Sequence, residues 1–328
     1  MKKTYMQKIT DIYRSEYKQI DEFTDTQLEK FFWGANEVKV ANDVHDILTN
    51  FTPTEKHGVF TTLKLFTKYE MKAGSEFWTG RFMKMFERHE FQSMGSAFGM
   101  MELAVHKRFY NKINELLNAT DDTFYTDYIN DPILKSRMEF IDSVIDDEDD
   151  LIALGGFTFI EGVILYSSFA FLKHFQSLGK NKLNNIVRGI NFSLRDENLH
   201  AVAGAWCYNR LKHERHEEIP NYNSDHVELK LIEMVKKVYE HEEKIIDMIF
   251  EKGEIEGITS EGMKIFVKHR INHCLNKINI KPIYDMEGVK DNISSWFYEG
   301  AQTVQVNDHF VGVSREYTRH WDEEAFTW

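Results

Sequence analysis

The sequence predicts an all-α fold, a bundle of long helices forming one domain over residues 1–310 with a separate tail at 311–328, and three observations predict it. Its four prolines stand at 53, 132, 220 and 282, so the intervals 54–131 and 133–219 hold nothing that removes a backbone N–H and breaks a helix. Phe60, Leu63 and Phe66, and then Phe82, Met85 and Phe86, recur at spacings of three and four, which keeps side chains on one helical face. Alternating apolar and polar runs, the mark of a half-buried strand, are nearly absent.

Taken in order, the first long helix starts at Thr52-Pro53-Thr54-Glu55, where a Thr N-cap, a Pro at the first helical position and a Glu at the third make a capping box. Polar breaks at Asn118 to Pro132, Gly179 to Asn181 and His213 to Asp225 divide the rest into helices longer than usual. The longest apolar run, Phe157 to Leu172, is shorter than a membrane span and carries Glu161 inside it, so it reads as a buried helix. The tail ends Asp322-Glu323-Glu324-Ala325-Phe326-Thr327-Trp328, acidic and then aromatic, with no helical face to bury.

Composition narrows the function. Fifty-three acids against 40 bases leave a net charge of -13, which disfavours nucleic acid as a partner because bound phosphates need clustered Lys and Arg. Only 2 cysteines in 328 residues exclude a disulfide framework and point to a reducing compartment. The start, Met1-Lys2-Lys3-Thr4-Tyr5, is basic but leads into polar residues rather than an apolar signal core, so a cytoplasmic location and no membrane are expected.

The acids carry the chemistry. A lone carboxylate in an apolar setting costs several kcal/mol unless it is paired, protonated or bound to a metal. Glu161 is the single charged residue between Phe157 and Leu172, Glu102 is the single one between Phe91 and Val105, and Glu70 lies well inside the helix opened by the capping box. Glu197-Asn198-Leu199-His200 puts a carboxylate and an imidazole three residues apart on one face, and Glu102 with His106 forms a similar pair at four. Taken singly, such residues are more often satisfied helix-face acids or core histidines. Jointly, two single glutamates and two Glu-His pairs on four helices make the ligand set of a di-metal carboxylate bundle. Each Pro-free interval holds a Glu followed some distance on by a Glu-His pair, which suggests a duplicated pair of helices.

From Phe31 to Leu211 the chain resembles the small, radical-generating subunit of class I ribonucleotide reductase, in the ferritin-like superfamily. The segments that carry the resemblance are Phe31-Phe32-Trp33, Tyr69-Glu70, His106-Lys107-Arg108-Phe109-Tyr110, Ile160-Glu161-Gly162 and Arg195-Asp196-Glu197-Asn198-Leu199-His200. The resemblance implies a dinuclear iron or manganese centre, or one ion of each, held by Glu70, Glu102, His106, Glu161, Glu197 and His200. It implies a radical on Tyr110 and an electron route beginning with His106, Asp196 and Trp33. It further implies a homodimer whose C-terminal tail docks on a large subunit, with Tyr317 as the relay in the tail, and an activity that reduces ribonucleotides to deoxyribonucleotides. Two positions depart from the family: Leu103 stands where a Glu is usual, with Glu102 one place earlier, a shift that a π-bulge would absorb. Around Tyr110, Phe169 matches while Leu165 and Ser193 replace a commoner Phe and Ile.

Two other readings share the helices. A different di-metal oxidase or desaturase would need a substrate channel and no radical tyrosine, and a ferritin-like metal-binding protein without catalysis would need no relay. Tyr110, Trp33, Asp196 and the tail favour the reductase. The chain has no G-x-x-x-x-G-K-[ST] or G-x-G-x-x-G loop for phosphates, as expected of a subunit that does not itself bind the nucleotide.

Overall fold

The computed structural model describes residues 2–298. The described residues form helices joined by loops and turns, with a single isolated bridge between Ile255 and Ile258 in place of any sheet. The tail read at 311–328, Tyr317 and the end of the domain read at 1–310 lie outside the described residues.

Two short helices, α1 (Lys18–Asp25) and α2 (Ala41–His45), precede the bundle. Its first rod is α3 (Pro53–Met71), which runs without a break through a π-helical stretch, Lys72–Phe82, into the last turn α4 (Met83–Met85). The capping box holds: Thr52 Oγ1 accepts from the Glu55 N–H at 3.2 Å, and Glu55 Oε2 accepts from the Thr52 N–H at 2.8 Å. The second rod is α5 (His89–Met100), the π stretch Met101–His106 and α6 (Lys107–Leu116). The chain then forms α7 (Asp122–Asn130) and α8 (Pro132–Ile145), where Asp131 caps the Pro132 start through the N–H groups of Ile133 and Leu134.

The third rod comprises α9 (Asp150–Phe159), the π stretch Ile160–Ile164 and α10 (Tyr166–Lys173). The fourth is α11 (Asn184–Glu218), followed by α12 (Asp225–Ile249) and α13 (Ser260–Lys277). α9 packs most extensively on α11, α3 lies against α6, and α12 and α13 cover the outer side of α9 and α10. The apolar stretch from Asp150 to Gly179 is long enough to cross a membrane, yet its apolar window is entirely buried inside the chain, as expected of a core helix.

Three boundaries differ from the sequence expectation. The polar break between Asn118 and Pro132 contains α7, because a short run of Asp, Thr and Tyr is compatible with helix once it packs on α3 and α8. A break at 146–149 separates α8 from α9, since the Asp149 side chain accepts from the Leu151 N–H and starts a new helix there. The first Pro-free interval is also cut at 86–88, where Phe86 is extended and the Gln92 side chain takes the carbonyls of Met83 and Phe86.

Candidate metal centre

The four rods aim their acids at one another. Glu70 comes from the end of α3, Glu102 and His106 from the π stretch of the second rod, Glu161 from that of the third, and Glu197 and His200 from the middle of α11. All six are at most 1% exposed. They form two overlapping groups, Glu70, Glu102, His106 and Glu197, and Glu102, Glu161, Glu197 and His200, with the ligand atoms in each within 4.8 Å of one another. Glu102 and Glu197 belong to both, so each would serve both ions of a bound pair. In the first group His106 Nδ1 lies 3.0 Å from Glu102 Oε2, 3.4 Å from Glu197 Oε1 and 3.6 Å from Glu70 Oε2. In the second, His200 Nδ1 lies 2.8 Å from Glu102 Oε1, 3.8 Å from Glu197 Oε2 and 3.9 Å from Glu161 Oε2.

The spacing at Glu102 has a local cause. A π-helix closes its hydrogen bond over one more residue than an α-helix, so within Met101–His106 a pair four apart shares a face as a pair three apart does in regular helix. Leu103 therefore does not displace the ligand; the helix takes up the extra residue. Gly74 lets this turn approach the first rod, because a Cβ there would stand 2.6 Å from Leu103 Cγ and 2.9 Å from Glu102 Cβ.

Both histidines are held in the orientation that a ligand needs. His106 Nε2 lies 2.9 Å from Asp196 Oδ2, which also accepts from Trp33 Nε1 at 2.8 Å; the hydrogen bond there turns Nδ1 toward the carboxylates. Gln27 Nε2 donates to Asp196 Oδ1 at 3.3 Å, which orients its amide so that Oε1 accepts from His200 Nε2 at 3.2 Å. His200 Nδ1 is thereby turned inward too. The Trp33 and His106 rings stack with centroids 5.8 Å apart, so His106, Asp196 and Trp33 form one contiguous chain leading away from the acids.

The electrostatics are those of a site built around positive charge. Burial, reinforced by neighbouring carboxylates, raises the pKa of Glu70 and Glu197 well above the usual range. Burial pushes Glu102 the same way, but His106, Glu70 and His200 outweigh it and hold that carboxyl well below its ordinary value. Burial alone would lower both histidines, yet Glu102 and the other acids raise His106 well above its usual value and His200 to about 9. Neither Glu70 nor Glu197 finds a hydrogen-bond partner for either oxygen, an expensive state for buried carboxylates that a coordinated cation would relieve. Among the described residues, the cationic side chains within ion-pair reach of these acids are the two histidines, with no Lys or Arg. Four carboxylates and two imidazole nitrogens suit a pair of hard or borderline divalent ions, and the residues fit a dinuclear centre.

Tyr110, one turn beyond His106, is fully buried, and its ring stacks on Phe66 with centroids 4.2 Å apart. Phe66 in turn stacks on Phe169. Burial and then the Glu70 carboxylate hold the phenol pKa well above the usual tyrosine value, so it is neutral. The Ser193 hydroxyl acts on the phenol in the opposite sense, although neither oxygen makes a full hydrogen bond.

The residues expected from sequence to form the centre thus come together, with Trp33, Asp196 and Tyr110 around it. Three to which the sequence reading gave no role join them. Gln27 links Asp196 to His200, Trp78 Nε1 donates to Glu161 Oε1 at 2.8 Å, and Tyr69 Oη reaches Glu161 Oε2 at 3.5 Å. Tyr69 adjoins Glu70 in the sequence, which was a signal of sorts; Gln27 and Trp78 have no spacing to a ligand that would have flagged them.

Comparison with known proteins agrees with this geometry. The sequence model of the family described as ribonucleotide reductase, small chain, matches residues 9–292. A probable ribonucleoside-diphosphate reductase small subunit of Invertebrate iridescent virus 3 is 24% identical over 318 residues, covering 89% of this chain and 80% of that protein. The ribonucleoside-diphosphate reductase subunit beta of Chlamydia pneumoniae is 28% identical over 131 residues, 40% of this chain and 36% of that one. Among solved structures, the dimanganese(II) NrdF of Streptococcus sanguinis superposes with a TM-score of 0.74 at 20% identity, over 90% of this chain and 99% of that chain. The ribonucleotide reductase R2 subunit of Clostridium botulinum gives 0.75 at 21% identity, over 87% and 89%.

Proposed function

This chain belongs to the ribonucleotide reductase small-chain family, and from that premise we propose that it generates and stores a tyrosyl radical on Tyr110 and passes the oxidising equivalent to the large subunit, which reduces ribonucleotides. The observation that carries the reading is the pair of ligand groups sharing Glu102 and Glu197, with the His106–Asp196–Trp33 chain leading out of it. The centre is a pair of iron or manganese ions, or one of each, since this oxygen and nitrogen set accepts both metals. Glu70, Glu102, His106 and Glu197 would hold one ion, and Glu102, Glu161, Glu197 and His200 the other. When bound, the pair supplies the oxygen chemistry that takes an electron from Tyr110.

The chain's own groups do the rest. Phe66, backed by Phe169, covers the fully buried Tyr110 ring and so helps to keep out water, which would shorten the life of a radical. Asp196 accepts hydrogen bonds from both His106 and Trp33, so when the indole gives up an electron toward the centre its N–H proton can shift onto the same carboxylate that holds the imidazole Nε2. Gln27 fixes that acceptor in place.

The remaining parts of the reading concern assembly. As a reductase small subunit the chain works with a large subunit; we place the docking contact in the acidic-aromatic tail, 311–328, with Tyr317 as its relay, on a homodimer in the cytoplasm.

The direct test is electron paramagnetic resonance after loading with iron or manganese and exposure to oxidant. A tyrosyl signal is expected from the wild type and should be absent from Tyr110→Phe at unchanged metal content. A tyrosyl signal that survives the substitution would place the radical elsewhere.

A further inference from the structure

We infer that Arg270 is a positioning residue for the metal centre: through the Gly162 carbonyl it holds the π turn that presents Glu161, and so sets the affinity of the ion that Glu161 ligates. The inference rests on the assignment of Glu161 as a ligand.

Glu161 lies in the π stretch Ile160–Ile164, and the helix breaks at Leu165 before α10 resumes. Such a break interrupts the regular ladder of backbone hydrogen bonds, and carbonyls near it need partners from elsewhere. Two buried guanidinium groups reach in from neighbouring helices. Arg270, on α13, donates to Gly162 O from Nη2 at 2.8 Å and from Nε at 3.1 Å, and Arg137, on α8, donates to Ile164 O. Both arginines are at most 2% exposed. Neither touches a carboxylate of the centre; both hold the main chain on which one of those carboxylates is mounted.

The two differ in what else they do. Arg137 also pairs with the Glu242 carboxylate at 2.9 Å, so its burial has an ordinary electrostatic explanation. Among the described residues no carboxylate lies within ion-pair reach of Arg270. Its other contacts are the Tyr298 hydroxyl at 3.1 Å, the Cys274 sulfur and the face of Tyr166, whose ring centroid is 3.8 Å from the guanidinium carbon. A buried cation with no acid to match it is costly, and what it obtains here is a two-donor hold on one carbonyl. Gly162 makes the approach feasible, because a Cβ at that position would stand 2.5 Å from Cys274 Sγ on α13. The carboxylate itself is steadied from the other side by Trp78. Backbone clamp and side-chain donor together leave Glu161 one aim, which faces the group completed by His200.

A merely structural arginine would affect both ions alike; a positioning one affects the ion bound by Glu161. Groups that orient metal ligands typically contribute about 10–100-fold in affinity. The experiment is a Mn(II) titration of the full-length protein followed by electron paramagnetic resonance, which separates isolated from spin-coupled ions, for wild type, R270M and R270K. In R270M we expect one ion to bind within about twofold of wild type and the other to weaken about tenfold, so that isolated Mn(II) accumulates; in R270K, which can offer the carbonyl one nitrogen instead of two, that other ion weakens about threefold. Equal weakening of both ions, or no change in either, overturns the inference. If R270M fails to fold, R270K decides by the same criterion. A wild type that fails to bind two ions instead overturns the ligand assignment, whatever Arg270 does.

Discussion

At the scale of single residues, the acids of the centre are not equivalent. Glu102 and Glu197 serve both ligand groups, whereas Glu70 and Glu161 serve one each. Glu197→Ala should therefore bind close to no metal, while Glu161→Ala should retain about one ion per chain, the one among Glu70, Glu102 and His106; metal analysis after gel filtration distinguishes them, and equal loss in both would mean that the groups do not overlap. The sequence made these acids legible because an ionised side chain in an apolar run has few explanations. Gln27, Trp78 and Arg270 escaped notice for the converse reason. An amide, an indole and a guanidinium are each at home in many settings, and their partners lie on other helices at separations that no periodicity encodes.

At the scale of elements, two of the four rods loosen into π geometry where they carry ligands, at Met101–His106 and Ile160–Ile164, while α11 presents Glu197 and His200 from regular helix. The first loosening was readable, since Glu102 and His106 at four residues must match a partner pair at three; the second leaves no spacing mismatch in the sequence and shows only in the folded backbone, where Arg270 and Arg137 take two of its carbonyls. Just behind that second turn, Glu242 on α12 is fully buried against Arg137 and accepts from Ser167. Burial raises its pKa to about 7, only partly offset by Arg137 and Ser167. A carboxyl that binds its proton more tightly in the folded state gives most stability below its unfolded pKa of about 4.5 and loses it as pH rises through about 7. The contribution is at most on the order of 3 kcal/mol. Thermal unfolding of metal-free protein should accordingly show stability falling between pH 4.5 and 7 in the wild type and a flatter profile in Glu242→Gln; parallel profiles would mean that Glu242 is not the titrating group.

At the scale of the whole molecule, the centre has the plan of two similar halves. One rod pair supplies Glu70 with Glu102 and His106, the other Glu161 with Glu197 and His200, and the paired glutamate of each half belongs to both ligand groups. That plan was visible in the two Pro-free intervals, as were the helical class, the capping box and the buried run around Glu161. The breaks at 86–88 and 146–149 were not, because side-chain hydrogen bonds from Gln92 and to Asp149 set these helix boundaries without proline or glycine. The assembly role proposed for the tail, with Tyr317, can be tested apart from the centre. Deleting Asp322 to Trp328 should abolish ribonucleotide reduction with the large subunit while leaving metal content unchanged, as turnover assays beside metal analysis would show; normal turnover by the shortened chain would remove the docking role. The central claim is that the buried acids are stable because cations lie between them, and crystals loaded with Mn(II) test it most directly through anomalous X-ray scattering. Two peaks about 3.5–4 Å apart are predicted, one within each ligand group. A single peak, or none, at full loading would contradict the account.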